Sequence, residues 1–134
     1  MADRPNILWY CSDQQRFDTI AALGNAHINT PCLDAFARQG VAFTHAYCQS
    51  PICTPSRASF LTGMYPAAVG VTGNGNEFFP REQEDRLLPN RLAKSGYDCG
   101  LVGKLHLSSA ARGVENRVDD GYRYFQYSHD HRGP

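Results

Sequence analysis

Several things are scarce in this 134-residue chain, and each scarcity removes a class of function. There is no excess of either charge: thirteen Lys and Arg face thirteen Asp and Glu, for a formal net charge of zero. A polyanion binder carries a basic surplus, so nucleic acid is not an expected partner. Long apolar runs are missing too. The longest, Ile7 to Cys11, falls far short of the ~20 residues of a membrane span, and no membrane partner is expected. The opening MADRPNILWY sets Asp3 and Arg4 before a run too short for the core of a secretory leader. Five cysteines at irregular spacing (Cys11, Cys32, Cys48, Cys53, Cys99) form no disulfide framework. With no leader in view, the expected location is cytoplasmic. Repeats, low-complexity tracts and Pro- or Gly-rich linkers are also absent.

What is present suits one folded α/β unit. At 42% hydrophobic and 11% aromatic residues, there is enough apolar surface to offset the entropy of ordering. Asn6-Ile7-Leu8-Trp9-Tyr10-Cys11 is a continuous apolar run of strand length, the pattern of a central parallel strand covered on both faces. Residues 16–23, closed by Gly24, read as a short helix. Thr30-Pro31 through Gly40 carries an N-cap, a proline at the first helical position and a terminating glycine. Val41 to Tyr47 alternates as a strand. The helix grammar returns at Thr54-Pro55 through Gly63, and more loosely over 89–96. Between these two, 66–85 reads as a long surface loop, rich in Gly, Asn and charge. A last strand is expected over 97–102, with irregular chain beyond Ser108. Strands alternating with helices predict a largely parallel central sheet.

Ligands of such sheets bind beyond the carboxyl ends of the strands. Three segments are expected there: Asp13-Gln14, Cys53, and Lys104 with His106. Cys53 lies one residue before the expected N-cap of a helix, where backbone N–H groups and the dipole favour an anion. Arg57 follows one turn later, placed to pair with the same anion. Asp13 and Gln14 offer hard oxygen donors suited to Ca²⁺ or Mg²⁺. Lys104 and His106, two apart, point the same way on an extended segment.

The stretch Cys53-Thr-Pro-Ser-Arg-Ala-Ser-Phe-Leu-Thr-Gly63 resembles, without a gap, the signature of the type I sulfatases of the alkaline phosphatase superfamily. The likeness continues in Arg4-Pro5-Asn6-Ile7-Leu8, Asp13-Gln14, Thr30-Pro31-Cys32-Leu33-Asp34, Gly96-Tyr97 and Gly103-Lys104-Leu105-His106-Leu107. It implies an alkaline phosphatase-like α/β sandwich, of which residues 1–134 are the amino-terminal part. It implies hydrolysis of a sulfuric ester, with a small-molecule sulfate ester as substrate. Cys53 would be oxidised to formylglycine by a formylglycine-generating enzyme. The hydrated aldehyde is the nucleophile: one hydroxyl attacks sulfur, and deprotonation of the other expels sulfate. By the same resemblance Asp13, Gln14 and the modified Cys53 hold Ca²⁺, with Mg²⁺ or Mn²⁺ as alternatives. Arg57 belongs to the catalytic set, Lys104 clamps the sulfate oxygens, and His106 holds or deprotonates the formylglycine hydroxyl. Many sulfatases carry two aspartates where this chain has Asp13-Gln14.

Two alternatives accompany this reading: a phosphodiester or phosphonate monoester hydrolase of the same superfamily, and an inactive truncated binding module. A cysteine phosphatase loop needs five residues between Cys and Arg, and Cys53 and Arg57 have three. A zinc site on His45, Cys48 and Cys53 lacks a fourth partner. Asn74 and Asn76 read as turn residues, and His129-Asp130-His131 as a solvated tail.

Overall fold

The structure, a computed structural model, describes residues 4–110 and 115–128, so His129 to His131 lie outside the described residues. The chain divides into two units, Met1–Ala46 and Tyr47–Pro134.

In the first unit the helix grammar beginning at Thr30 folds as read: α1 spans Pro31–Gln39, with Gly40 at its carboxyl end. Thr30 works differently from an ordinary cap. Its hydroxyl accepts the Ala21 N–H at 2.9 Å and donates to Asp34 Oδ1 at 2.8 Å. Asp34 Oδ1 also accepts the Ala22 N–H at 2.8 Å. These bonds tie α1 to the single 3₁₀ turn Ala21–Leu23, which is all that forms of the helix expected over 16–23. Gly24 closes that turn at φ 112°, a left-handed conformation suited to glycine.

The strands expected over 6–11 and 41–47 do not form. Leu8 is 90% exposed and Tyr10 80%, and residues 44 and 45 make a turn. A strand exists through its ladder, and the sheet found among the described residues is built from two other segments. Apolar runs of this length record a wish for burial without specifying the partner.

The second unit holds the core. Helix α2 spans Cys53–Thr62, two residues ahead of the start expected at Pro55, with Ile52 rather than Thr54 at the N-cap position. Gly63, at φ 71°, closes it by donating its N–H to the Ser59 carbonyl. Ala58 and Leu61 of α2 pack with Val69, Val71, Phe79, Leu87, Leu105 and Leu107. Three of these lie in 66–85, which is therefore no surface loop. It contributes helix α3 (Pro66–Val69), a 3₁₀ segment (Arg81–Arg86) and the most voluminous fully buried side chain, Phe79. Its apolar residues are too sparse to show a period, so the core they build was invisible in the sequence pattern. Helix α4 follows at Leu88–Lys94.

Strand β1 covers Gly100–Gly103, shorter than the expected 97–102. It pairs in parallel with β2, Tyr124–Tyr127, from Gly100↔Tyr124 to Gly103↔Tyr127. The parallel sense agrees with the expected α/β class, though β2 lies where irregular chain was expected. The approach to β2 is fixed by Arg117. Its guanidinium binds both carboxylate oxygens of buried Asp120 at 2.9 and 2.6 Å and lies 3.9 Å over the Phe125 ring. No helix among the described residues is long and apolar enough to cross a membrane.

Candidate active site

The first turn of α2 begins without a cap from its own N-cap residue, since Ile52 has no side-chain oxygen. The cap comes from elsewhere in the chain. Asn74 Oδ1 accepts the Thr54 N–H at 3.0 Å, and Asn74 Nδ2 donates toward Cys53 Sγ at 3.7 Å. One carboxamide thus spans the half-buried Cys53 and the residue after it. The expectation that Asn74 serves only a turn is incomplete, and no local signal would have revealed its contact across twenty-one residues.

One turn further along α2, Arg57 is only 8% exposed. Its Nη1 donates to the Lys104 carbonyl oxygen, joining α2 to the segment that leaves β1. A buried guanidinium is costly without such partners. That segment bends sharply: Gly103 has φ 120° and His106 φ 54°. The expectation that Lys104 and His106 project together from an extended strand is therefore corrected, because His106 is left-handed and alternation fails there. Leu105 and Leu107 enter the core on either side, and His106 is 5% exposed between them.

A residue that sequence reasoning missed holds this bend. Buried Glu115 accepts the His106 N–H in a short hydrogen bond through Oε2 and the Leu107 N–H at 3.1 Å through Oε1. Burial pushes its carboxyl above the usual Glu range. The two N–H donors and the nearby Arg57 charge pull the other way without cancelling that rise. The residues after the bend are tied down as well: Ser109 N–H donates to the Asn76 carbonyl at 2.7 Å, and Ser108 Oγ to the Asn116 carbonyl at 3.0 Å.

Cys53, Arg57, Lys104 and His106 all belong to the second unit, whereas Asp13 and Gln14 belong to the first. Asp13 and Gln14 are exposed, and Gln14 has φ 56°, an uncommon conformation for a residue other than glycine. Among the described residues, no group of three His, Cys, Asp or Glu side chains stands ready to hold a metal. Asp13 and Gln14 fit a hard divalent cation by the oxygen chemistry of their donors. They supply fewer than the ~6–8 oxygens Ca²⁺ takes.

The fold and the site define an α/β protein. In it a helix start bearing a cysteine is joined to a buried arginine and to a lysine–histidine bend. The chain belongs to the sulfatase family, whose model matches residues 5–132. It is 35% identical over 133 residues to an ulvan-active sulfatase of Formosa agariphila, covering 96% of this chain and 25% of that protein. It is 38% identical over 118 residues to the steryl-sulfatase of Mus musculus, covering 82% and 19%. With an N-acetylgalactosamine-6-O-sulfatase of Bacteroides thetaiotaomicron it shares 36% over 114 residues, covering 84% and 22%. In three dimensions it resembles yidJ of Bacteroides fragilis, a protein assigned to the sulfatases, with a TM-score of 0.67 at 32% identity. That match covers 78% of this chain and 24% of that one. The fold class is thus the α/β architecture of the sulfatases. The chain spans about a fifth to a quarter of the length of the relatives it matches.

Proposed function

We propose that this chain supplies the nucleophile half of a sulfuric ester hydrolase, residues 1–134 being the amino-terminal part of its catalytic domain. The observation that carries the reading is the bond from Arg57 to the Lys104 carbonyl, which draws the α2 start and the Lys104–Leu107 bend into one cluster. Cys53, oxidised to formylglycine by a formylglycine-generating enzyme, is the residue that attacks sulfur. Arg57 sets a fixed, largely desolvated cation one turn from it, where developing charge on a tetraoxyanion is worth most. Lys104 binds the sulfate oxygens, and His106 holds or moves the proton of the nucleophile. Asp13 and Gln14, with the modified Cys53, would hold Ca²⁺, with Mg²⁺ or Mn²⁺ as alternatives. Such a cation offsets the negative charge of the bound ester. The substrate is a small-molecule sulfate ester, and the location is cytoplasmic, as the unpaired cysteine pattern suggests; cell fractionation with an antibody to the chain checks the latter.

The deciding experiment is mass spectrometry of the Cys53 peptide from protein made alongside a formylglycine-generating enzyme. Aryl sulfate and aryl phosphodiester are then offered to the whole protein. Conversion of the CH₂SH group to an aldehyde, with turnover of the sulfate, supports the proposal. Turnover of the phosphodiester alone moves the assignment to the phosphodiester or phosphonate hydrolases of the superfamily. An unmodified thiol and no turnover leave an inactive binding module.

A further inference from the structure

We propose that Glu115 is the positioning residue of this site: its buried carboxylate locks the Lys104–Leu107 bend in the shape that presents Lys104 and His106 beside Arg57. The functional side of this inference rests on the sulfatase reading; the structural side does not.

The argument begins with the left-handed φ of 54° at His106. A residue with a Cβ disfavours this conformation, so something must hold it. In that conformation the successive N–H groups of His106 and Leu107 turn to one side and form a concave anion-binding nest. Glu115 fills it, one oxygen per N–H. Each N–H meets its own oxygen, an arrangement a carboxylate offers and a carboxamide, with NH₂ in place of one oxygen, does not. Aspartate, one methylene shorter, does not reach both. Glu115 is also nine residues from the bend and belongs to no helix or strand, so neither a cap nor a ladder accounts for its burial. The charged groups acting on it are Arg57 from α2 and Asp120 from the approach to β2. Arg117 feels its charge in turn. With the nest filled from within, an incoming tetraoxyanion is left to Arg57, Lys104 and His106.

The test is an NMR titration of the ¹⁵N,¹³C-labelled 134-residue chain, following the amide protons of His106 and Leu107 and the Glu115 Cδ. A common midpoint for all three, above the usual Glu range, is the expected result. Amides that ignore the Glu115 titration overturn the proposal, and this arm needs no variant. In E115Q one of the two amides keeps its exchange protection and the other loses about tenfold or more, while Leu61 and Val69 exchange as before. E115D does not protect both amides. Equal protection of both amides in E115Q and wild type overturns the proposal. Inorganic sulfate, added to the wild-type chain, should shift the Arg57 Nε–H resonance. Absence of that shift, with the common midpoint intact, overturns the sulfatase reading of the site and leaves the role of Glu115 standing.

Discussion

Replacing Arg57 by methionine keeps most of the aliphatic stem inside the second unit and deletes only the guanidinium, which makes R57M a clean probe of what joins α2 to the bend. Two losses follow. The Lys104 carbonyl forfeits a charge-assisted hydrogen bond worth about 1.5–3 kcal/mol. Glu115 also forfeits a nearby cation that opposes its burial, a smaller contribution of the same sign. The two overlap, since both arise from one group, so about 3 kcal/mol is the reasoned total. Hydrogen exchange at Leu61 and Val69 reports opening of this unit, and such a loss lowers their protection roughly a hundredfold. The charge component has its own signature. Without Arg57 the Glu115 carboxyl titrates still higher, so R57M loses further stability as pH rises through that range. Combining R57M with E115Q recovers part of the loss, because the buried anion is gone. Wild-type protection in R57M within about twofold, or strict additivity in the double variant, would refute the reasoning.

Three further outcomes are expected. Gly121 has φ 86°, and a Cβ there would sit 2.4 Å from the Asn90 Cα and 2.6 Å from the Pro89 carbonyl carbon, all backbone. G121A therefore lowers Tm by well over the ~4–8 °C that one kcal/mol produces in a unit this size; an unchanged melt would show that the approach of 121 to α4 is dispensable. N74A removes the acceptor of the Thr54 N–H and costs about 1 kcal/mol, as a lost helix cap does, seen as faster amide exchange confined to the first turn of α2. Tyr122 is pushed up to about 12, first by burial and then by the charges of Asp120 and Cys99. The folded chain keeps that proton while the unfolded chain releases it near ~10, so stability falls as pH rises between the two values. The fall is smaller in Y122F, and absorbance at alkaline pH shows one tyrosine ionising late.

Helices α1 and α2 are legible in the sequence because their signals are local. Thr30, Pro31 and Gly40 bracket α1, and Gly63 stops α2 where the residue types demand it. Strands proved harder for the opposite reason. Residues 6–11 carry the composition of a buried strand, yet a strand is a relation between two segments. β2 was overlooked because Tyr124 to Tyr127 lies in a polar neighbourhood, although its run of aromatics is a strand signal in itself. The candidate site divides along the same line. Cys53 and Arg57 are legible because they stand in the unbroken stretch Cys53 to Gly63 that resembles the sulfatase signature. Asn74 and Glu115 act through contacts twenty-one and nine residues away, and no spacing rule links an asparagine in a glycine-rich stretch to a helix it caps.

The Arg57 contact with residue 104 is made to a peptide carbonyl, and every amino acid has one. The Glu115 contacts likewise end on backbone N–H groups, at His106 and Leu107. Frame and chemistry are therefore separately editable. The side chains at 104 and 106 can be exchanged for others while the loop that carries them keeps its attachment points. A scaffold wired through its main chain in this way can change the groups it presents without first having to relearn how to fold.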